Sequence, residues 1–498
     1  MSSLDTQIFD VLIIGAGISG IGCACHLTRE LPKKTWAILE ARDDLGGTWD
    51  LFKYPGIRSD SDLYTFSYEF KPWRSPNSIA SADEIMSYLR EAADDYNVSD
   101  NINFRHRVIS ADWDSNSGLW TLGVHSPSGL KHVTCRWVFS ATGYYDYETA
   151  FRPEFSDEST FSGDIIHPQF WPEDYAYADK RVAIIGSGAT AVTLLPAMAN
   201  TAAYVTQIQR TPSYVLPRPK QDSFAKFLQS FLSPKRAHAI MRWKNTSLQR
   251  YFYLFCQRFP KAARRLIRKA NAKRLPDTYP LDKHFNPPYD PWDQRLCAAP
   301  DGDFFSAIRN GHASIKTGTI DRFEADGVRM KSGDLIIADT IIIATGLKLK
   351  MLGGIPLRAD GKTVDLPSSL VFRGMMLSDV PNFAFAIGYT NSSWTLKVDI
   401  LCRYLCELIK ATDAQGKTTC VPKAPAERTE TRPLLDFPAG YVRRAIHELP
   451  KQGDQYPWEM TLDYMADRKS LKNQPVLDPA LILSTPKGPK STTTAEAA

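Results

Sequence analysis

The 498-residue chain contains no uninterrupted apolar stretch of the roughly 20 residues that a spanning helix needs. Its apolar N-terminal run, Val11 to Leu27, follows Asp5 and Asp10 rather than basic residues, and Gly15, Gly17, Gly20 and Gly22 interrupt it, so no signal peptide is expected. The eight cysteines include no CxxC pair, which excludes the commonest thiol-redox and zinc-ribbon spacings. A disulfide framework is not expected, and a reducing cytoplasmic compartment is. The nine histidines show no HxxxH spacing, so no metal site is expected, and no GxSxG elbow signals a hydrolase. Gly and Pro together make 62 residues, too few for collagen-like or low-complexity chains. Net charge is small, +5 from 60 Lys and Arg against 55 Asp and Glu, and gives no reason to expect nucleic acid.

What is present is one pattern used twice. Ile8 to Ile14 reads as a strand, Ile18 to Glu30 as a helix and Thr35 to Glu40 as a second strand. Arg181 to Ile185, a helix opening near Ala189, and Ala203 to Gln209 repeat it. Arg136 to Ala141 and Asp339 to Ala344 read as strands that exit into the same tripeptide, Ala-Thr-Gly, at 141–143 and 344–346.

Each unit carries a glycine loop between its strand and its helix. In the first, Gly15 allows the tight turn, Gly17 lets the backbone approach a pyrophosphate, and Gly20 lets helix and strand pack closely; Ser19 lies between them. The helix N-terminus offers free amides to phosphate. Twenty residues after Gly20, Glu40 ends the second strand, where a carboxylate accepts hydrogen bonds from a ribose and repels a 2′-phosphate. This site suits FAD. Gly47, Thr48, Trp49 and Asp50, with Val108 further on, are expected to complete it. In the second loop, Gly186, Ser187 and Gly188 precede Thr190 and Ala191, the latter taking the third small position. Where the first unit has Glu40 the second has Arg210 and then Thr211, a cation and a hydroxyl suited to the 2′-phosphate of NADPH.

The expected architecture is therefore α/β, with two dinucleotide-binding Rossmann-like domains, for FAD and NADP, and a helical insertion. The boundaries read as 1–143 and 376–484 for the FAD domain, 144–215 and 301–375 for the NADP domain, 216–300 for the insertion, and 485–498 for a disordered Thr- and Lys-rich tail.

The stretch Phe161-Ser162-Gly163-Asp164-Ile165-Ile166-His167-Pro168-Gln169-Phe170-Trp171-Pro172-Glu173 resembles the FxGxxxHxxxWP(D/E) fingerprint of Baeyer-Villiger monooxygenases, and it lies just before the second glycine loop, as it does in that family. His167 is expected to orient this linker rather than to act as an acid or base. The segments Tyr54 to Asp60, Pro291 to Cys297 and Gly388 to Lys397 are similar to the family's flavin-side loop, active-site arginine segment and late return to the FAD domain. The chain looks closest to the ethionamide-activating group. Gln294 and Ser59 stand where cycloalkanone-oxidising members carry Lys and Cys, which favours acyclic over small cyclic ketones.

The resemblance implies that NADPH reduces FAD and that O2 is then activated to insert one oxygen atom beside a ketone carbonyl, giving an ester, with side activity on sulfides or thioamides. It assigns Arg295 as the fixed cation stabilising negative charge on oxygen, Asp60 as its partner, and Arg58 as a cofactor contact. Oxidation restricted to sulfur or nitrogen is the alternative. Flavin disulfide reductases share the two-dinucleotide plan but need a cysteine pair beside the flavin, and Cys23 and Cys25 sit one residue apart on a helix.

The +5 net charge conceals an asymmetry. Residues 220–274 hold fifteen Lys and Arg and one acid, Asp222, a charge of +14, leaving −9 on the remainder. Trp243, Tyr251, Phe252, Tyr253, Phe255 and Phe259 interleave with these cations. Two readings fit: an aromatic face packed on the NADP domain, or peripheral contact with an anionic membrane.

Overall fold

The computed structural model describes residues 4, 7–294, 296–425, 430–435 and 440–486. The apolar run Ile8–Ile14 forms strand β1, helix α1 spans Ile18–Glu30, and β2 is Trp36–Leu39. β1 and β2 pair in parallel from Val11 with Trp36 to Ile14 with Leu39. A βαβ crossover of this kind buries both strand faces, which is why Val11 to Ile14 of β1 reads as continuous apolar sequence rather than as an alternation. Beyond β2 lies β3 (Ile102–Asn103). On the other side comes a meander, β4 (Arg107–Asp114), β5 (Leu119–Ser126) and β6 (Gly129–Ser140), whose last strand returns parallel to β1.

The second sheet is wholly parallel. It contains β7 (Asp164–Ile166), β8 (Arg181–Ile185), β9 (Tyr204–Gln209), β10 (Ala313–Thr317) and β11 (Thr340–Ile343), in the order β10-β9-β8-β11-β7. Helix α2 (Ala189–Met198) links β8 to β9. Two helix-linked units on separate sheets are the expected α/β plan.

One boundary differs from the sequence reading. The chain returns to the first sheet before residue 376: Leu357–Ala359 pairs with Ala111 to Trp113 of β4, and Val371–Phe372 pairs with Met376–Leu377. Strands of two or three residues are too short to show a period, so nothing in the sequence marks them.

The insertion starts and ends on a two-stranded parallel ribbon, Val215–Arg218 beside Cys297–Pro300. Between them run α3 (Ser223–Gln229), capped by the Asp222 carboxylate, α4 (Pro234–Arg258) and α5 (Pro260–Ala272), the last two opening with proline in the first turn, where its missing N–H costs nothing. Ala225, Leu228, Ala237 and Met241 join the core of the first domain. Arg242 locks the contact. Its Nη2 donates to Asp399 Oδ2 at 2.8 Å on the helix Trp394–Ala414 (α6), its Nη1 donates to the carbonyls of Thr65 and Ser67, and His26 approaches the other Asp399 oxygen at 3.3 Å. Packing of an aromatic face on the NADP domain is therefore not what occurs. Trp243, Tyr251 and Phe259 point outward and are more than half exposed, because the opposite face of α4 is occupied by this buried anchor. The tail residues 487–498 lie outside the described part, and among the described residues no helix is long and apolar enough to cross a membrane.

Candidate functional site: two dinucleotide loops and a joined pair of cavities

The first glycine loop is assembled by backbone contacts that tolerate no side chain. Gly15 has φ +102°, and a β-carbon there would sit 2.8 Å from the Ala141 carbonyl oxygen. A β-carbon on Gly20 would lie 1.9 Å from the Gly15 oxygen, so Gly20 faces the strand and serves packing rather than lining the cavity. Gly46 and Gly47 close over the loop: Gly46 N donates to the Ala16 carbonyl at 2.9 Å, and a β-carbon on Gly47 would lie 3.0 Å from Gly17 Cα. The glycine pair is thus the second wall of a cradle. Glu40 ties it together, with Oε2 accepting from Ala16 N at 2.6 Å and Oε1 from Arg42 N at 2.8 Å. Burial pushes its carboxyl above the ordinary value, while these amides pull the other way.

A cavity of about 430 Å³ opens here. Gly15, Gly17, Ser19, Glu40, Gly47, Thr48, Trp49, Arg58, Asp60 and Val108 all line it, so ten of the sequence-selected residues share one space. Asp50 does not. Its carboxylate is taken by Arg42, Nη2 to Oδ2 at 2.6 Å, because the turn of helix opened by Thr48 carries it away from the cradle; its expected cofactor contact is corrected to a structural ion pair. Arg58 lines the cavity yet spends its guanidinium on Asp303 at 2.5 Å, across to the second domain.

The second loop repeats the geometry. Gly186 has φ +147°, and a β-carbon would lie 2.2 Å from the Ala344 carbonyl oxygen. Gly188 has open space where a side chain would be. Ser187 Oγ accepts from Ser213 Oγ at 3.0 Å, and Ala191 is fully buried in the helix–sheet core. Arg210 directly follows β9, as Glu40 directly follows β2; it is exposed, and Thr211 is half-buried. The two loops meet across the first cavity, since Ala189 and Thr193 of α2 line it too. Tyr54 is half-buried between them and bonds to Thr190, and the loss of water around its hydroxyl pushes it up to about 12.

The fingerprint segment starts in the second domain, contributes β7 to its sheet and continues into the turn at 168–170. Phe161 packs at Phe323 in the second-domain core, and a β-carbon on Gly163 would strike the Asp339 carbonyl at 2.2 Å. His167 Nδ1 accepts from Gln169 N at 3.1 Å, capping the turn from which the Gln169 side chain donates to the Asp146 carbonyl at 2.8 Å. Burial pulls the imidazole below its ordinary value, which keeps it neutral and able to accept. Trp171 packs edge-on to Tyr175, with Pro172 following. None of the five fingerprint positions lines either cavity.

A second cavity of about 270 Å³ adjoins the first, with Asp60, Ser61, Cys297, Ala298 and Ser392 in the walls of both. Its other walls are Leu216 and Arg218 of the ribbon, Asn245, Leu248, Gln249 and Phe252 of α4, and Trp292, Leu296, Thr390 and Asn391. Arg295 lies outside the described residues, so its pairing with Asp60 is not described; Leu296, its neighbour in the chain, faces the cavity that Asp60 borders.

Sequence reasoning missed the α4 wall, Asp303 and the part played by Trp394. The Trp394 indole donates to Ser19 Oγ at 2.8 Å and stacks on Tyr144 at 5.1 Å, and a β-carbon on Gly388 would enter its ring at 2.5 Å. The repeated Ala-Thr-Gly tripeptides were the available signal for contacts made at the strand exits. Cys23 and Cys25 are buried, burial pushes both thiols up, and neither residue lines either cavity, which removes the disulfide-reductase reading.

Residues 9–252 match the family described as flavin-binding monooxygenase-like. The FAD-containing monooxygenase EthA of Mycobacterium tuberculosis is 44% identical over 477 residues, covering 96% of this chain and 98% of its own length. The probable FAD-binding monooxygenase AlmA of Acinetobacter baylyi is 44% identical over 467 residues, 93% and 94% of the two chains. Among solved structures, steroid monooxygenase bound to NADP superposes with TM-score 0.74 at 20% identity, over 96% of this chain and all of the other. OTEMO in complex with FAD and NADP gives 0.70 at 22%, over 84% and 87%. These two share the fold, and the identity to EthA and AlmA across nearly the whole chain goes further: the protein belongs to the flavin-binding monooxygenase family.

Proposed function

We propose that the protein is an NADPH- and O2-dependent Baeyer-Villiger monooxygenase acting on acyclic or aliphatic ketones, with sulfides or thioamides as side substrates. The observation that carries this reading is the continuity of two cavities: one lined by the glycine cradle with Glu40 and by Ala189 at the start of the second unit's helix, and a largely apolar chamber joined to it at Asp60 and Cys297. Gly17 and Gly47 pack backbone to backbone and line the first cavity without side chains, which suits a pyrophosphate, and the open face of Gly188 with Arg210 at the strand end suits a 2′-phosphorylated dinucleotide. Bound FAD and NADPH together supply the two electrons that activate O2, one oxygen atom entering the product and the other leaving as water.

The chain's own residues do the rest. Glu40 accepts the ribose hydroxyls with the lone pairs left after its backbone contacts. Arg295, beside Leu296 in the chain, carries the permanent charge that stabilises an oxyanion as the former carbonyl carbon becomes tetrahedral, and Asp60 orients it. The aromatic groups Trp394, Tyr144 and Trp49 wall the first cavity against water, which would otherwise divert reduced oxygen from the substrate.

Product analysis with NADPH, O2 and a panel of linear ketones, cyclic ketones and sulfides tests the reading. Esters from linear ketones are expected. Sulfoxides alone would overturn it in favour of a monooxygenase confined to soft nucleophiles.

A further inference from the structure

We infer that the outer faces of α3 and α4 dock the protein on an anionic lipid bilayer, and that the second cavity takes lipophilic substrates from that bilayer past Leu248. Ten of the seventeen large apolar side chains exposed among the described residues fall between Phe224 and Leu266. Scattered singly they would need no explanation; gathered like this they form a patch. Phe224 and Phe227 on α3 and Phe231 just beyond its end recur at three- and four-residue spacing, with ring centroids 6.5 and 5.0 Å apart. On α4, Ile240, Trp243, Tyr251 and Leu254 fall on one outward stripe, since the face opposite carries Ala237, His238, Met241 and Arg242 into the core. The Lys244 ammonium lies 5.2 Å from the Phe224 ring and joins the two stripes.

Charge selects the occupant. Only five of the fifteen cations in 220–274 pair with carboxylates among the described residues. Lys226, Lys235, Arg236, Arg258, Lys261 and Arg265 stand exposed around the apolar stripes. Two such surfaces repel each other, which disfavours a second copy of the chain. A bilayer with anionic headgroups satisfies both features, taking the rings into its interface and the cations at its phosphates.

The position of Leu248 connects this surface to the chemistry. It follows Lys244 by one helical turn, is 61% exposed, and also lines the second cavity with Asn245, Gln249 and Phe252. The cavity mouth therefore opens at the edge of the patch. A substrate whose reactive carbonyl sits near Asp60 while its aliphatic chain leaves past Leu248 would keep that chain in apolar surroundings throughout. This delivery step rests on the second cavity being the substrate chamber; the docking step does not.

Sedimentation of the holoenzyme with phosphatidylglycerol-containing vesicles tests docking without any turnover. Binding is expected at low salt, at least about tenfold weaker at high salt, with pure phosphatidylcholine, or for the Phe227→Ser, Phe231→Ser, Trp243→Ser variant. No binding, equal binding to phosphatidylcholine, or pelleting without vesicles overturns it, the last by indicating self-association. For delivery, the variant should oxidise a short water-soluble ketone at the wild-type rate and a long-chain ketone held in anionic vesicles at least about tenfold more slowly; equal rates on the vesicle-borne ketone overturn delivery. A wild-type enzyme that binds the vesicles but oxidises neither ketone overturns delivery and the proposed activity while leaving docking standing.

Discussion

Gly186 and Ala344 are in direct backbone contact: a β-carbon at Gly186 would lie 2.2 Å from the Ala344 carbonyl oxygen, as one at Gly15 would lie 2.8 Å from that of Ala141. Each glycine loop is thus pressed against the Ala-Thr-Gly exit of its neighbouring strand. Positive φ at both glycines adds backbone strain to the clash for any other residue.

The pair gives separable outcomes. Gly186→Ala should leave the purified protein yellow with bound flavin but slow its reduction by NADPH by at least about tenfold, since displacing a phosphate loop by even 1 Å costs on that order or more. Gly15→Ala should lose the flavin itself. Absorbance near 450 nm per mole of protein, followed by anaerobic NADPH titration, distinguishes them. Flavin loss in both variants would show that the two loops do not hold separate dinucleotides.

Arg210 occupies in the second unit the place of Glu40 in the first, one residue past the strand. Arg210→Ala should raise the KM for NADPH by about tenfold or more, the equivalent of one charge-assisted hydrogen bond, and change that for NADH little. Steady-state kinetics with both nucleotides decide it; equal effects refute selection of the 2′-phosphate.

Arg295→Ala should still be reduced by NADPH and still consume O2, because neither event needs the fixed cation, while ester yield falls to background and hydrogen peroxide appears instead. Stopped-flow reduction combined with product chromatography reads both quantities. Normal ester yield would remove Arg295 from the mechanism.

His238 makes the fold sensitive to acid. Burial, reinforced by the Arg242 guanidinium and opposed by Asp399, holds its imidazole down at about 4. The unfolded chain takes up this proton near pH 6.5 and the folded chain does not, so the contribution is complete above that value and is lost as pH falls toward 4, at about 1.4 kcal/mol per pH unit. Urea unfolding at pH 7.5 and pH 5 should show the decline in the wild type and a shallower one in His238→Leu. Parallel pH dependences would exclude His238 as a source.

Local signals were strong where a single βαβ unit contains its own explanation. The bounds of α1 and of β8 coincide with those read from the sequence, and Glu40 and Arg210 fall at matching strand ends. Asp50 misled because a carboxylate after a glycine pair looks like a ligand until Arg42, eight residues upstream, is seen to hold it. Leu357–Ala359 was invisible because three residues have no period, and Asp303 because its partner Arg58 is 245 positions away.

By itself, then, the order of residues determined two glycine loops, the opposite charges that end their second strands, the linker fingerprint and a strongly basic segment. Each depends on neighbours within some 30 positions, the range over which helix and strand periodicities act. Only the tertiary structure decided that the basic helices anchor on the first domain through Arg242 and Asp399, that Trp394 braces Ser19, and that α4 walls a chamber joined to the cofactor cavity at Asp60. Those contacts join residues some 150 to 375 positions apart, and buried charge pairing and close packing, which leave no periodic trace in a chain, are what select them.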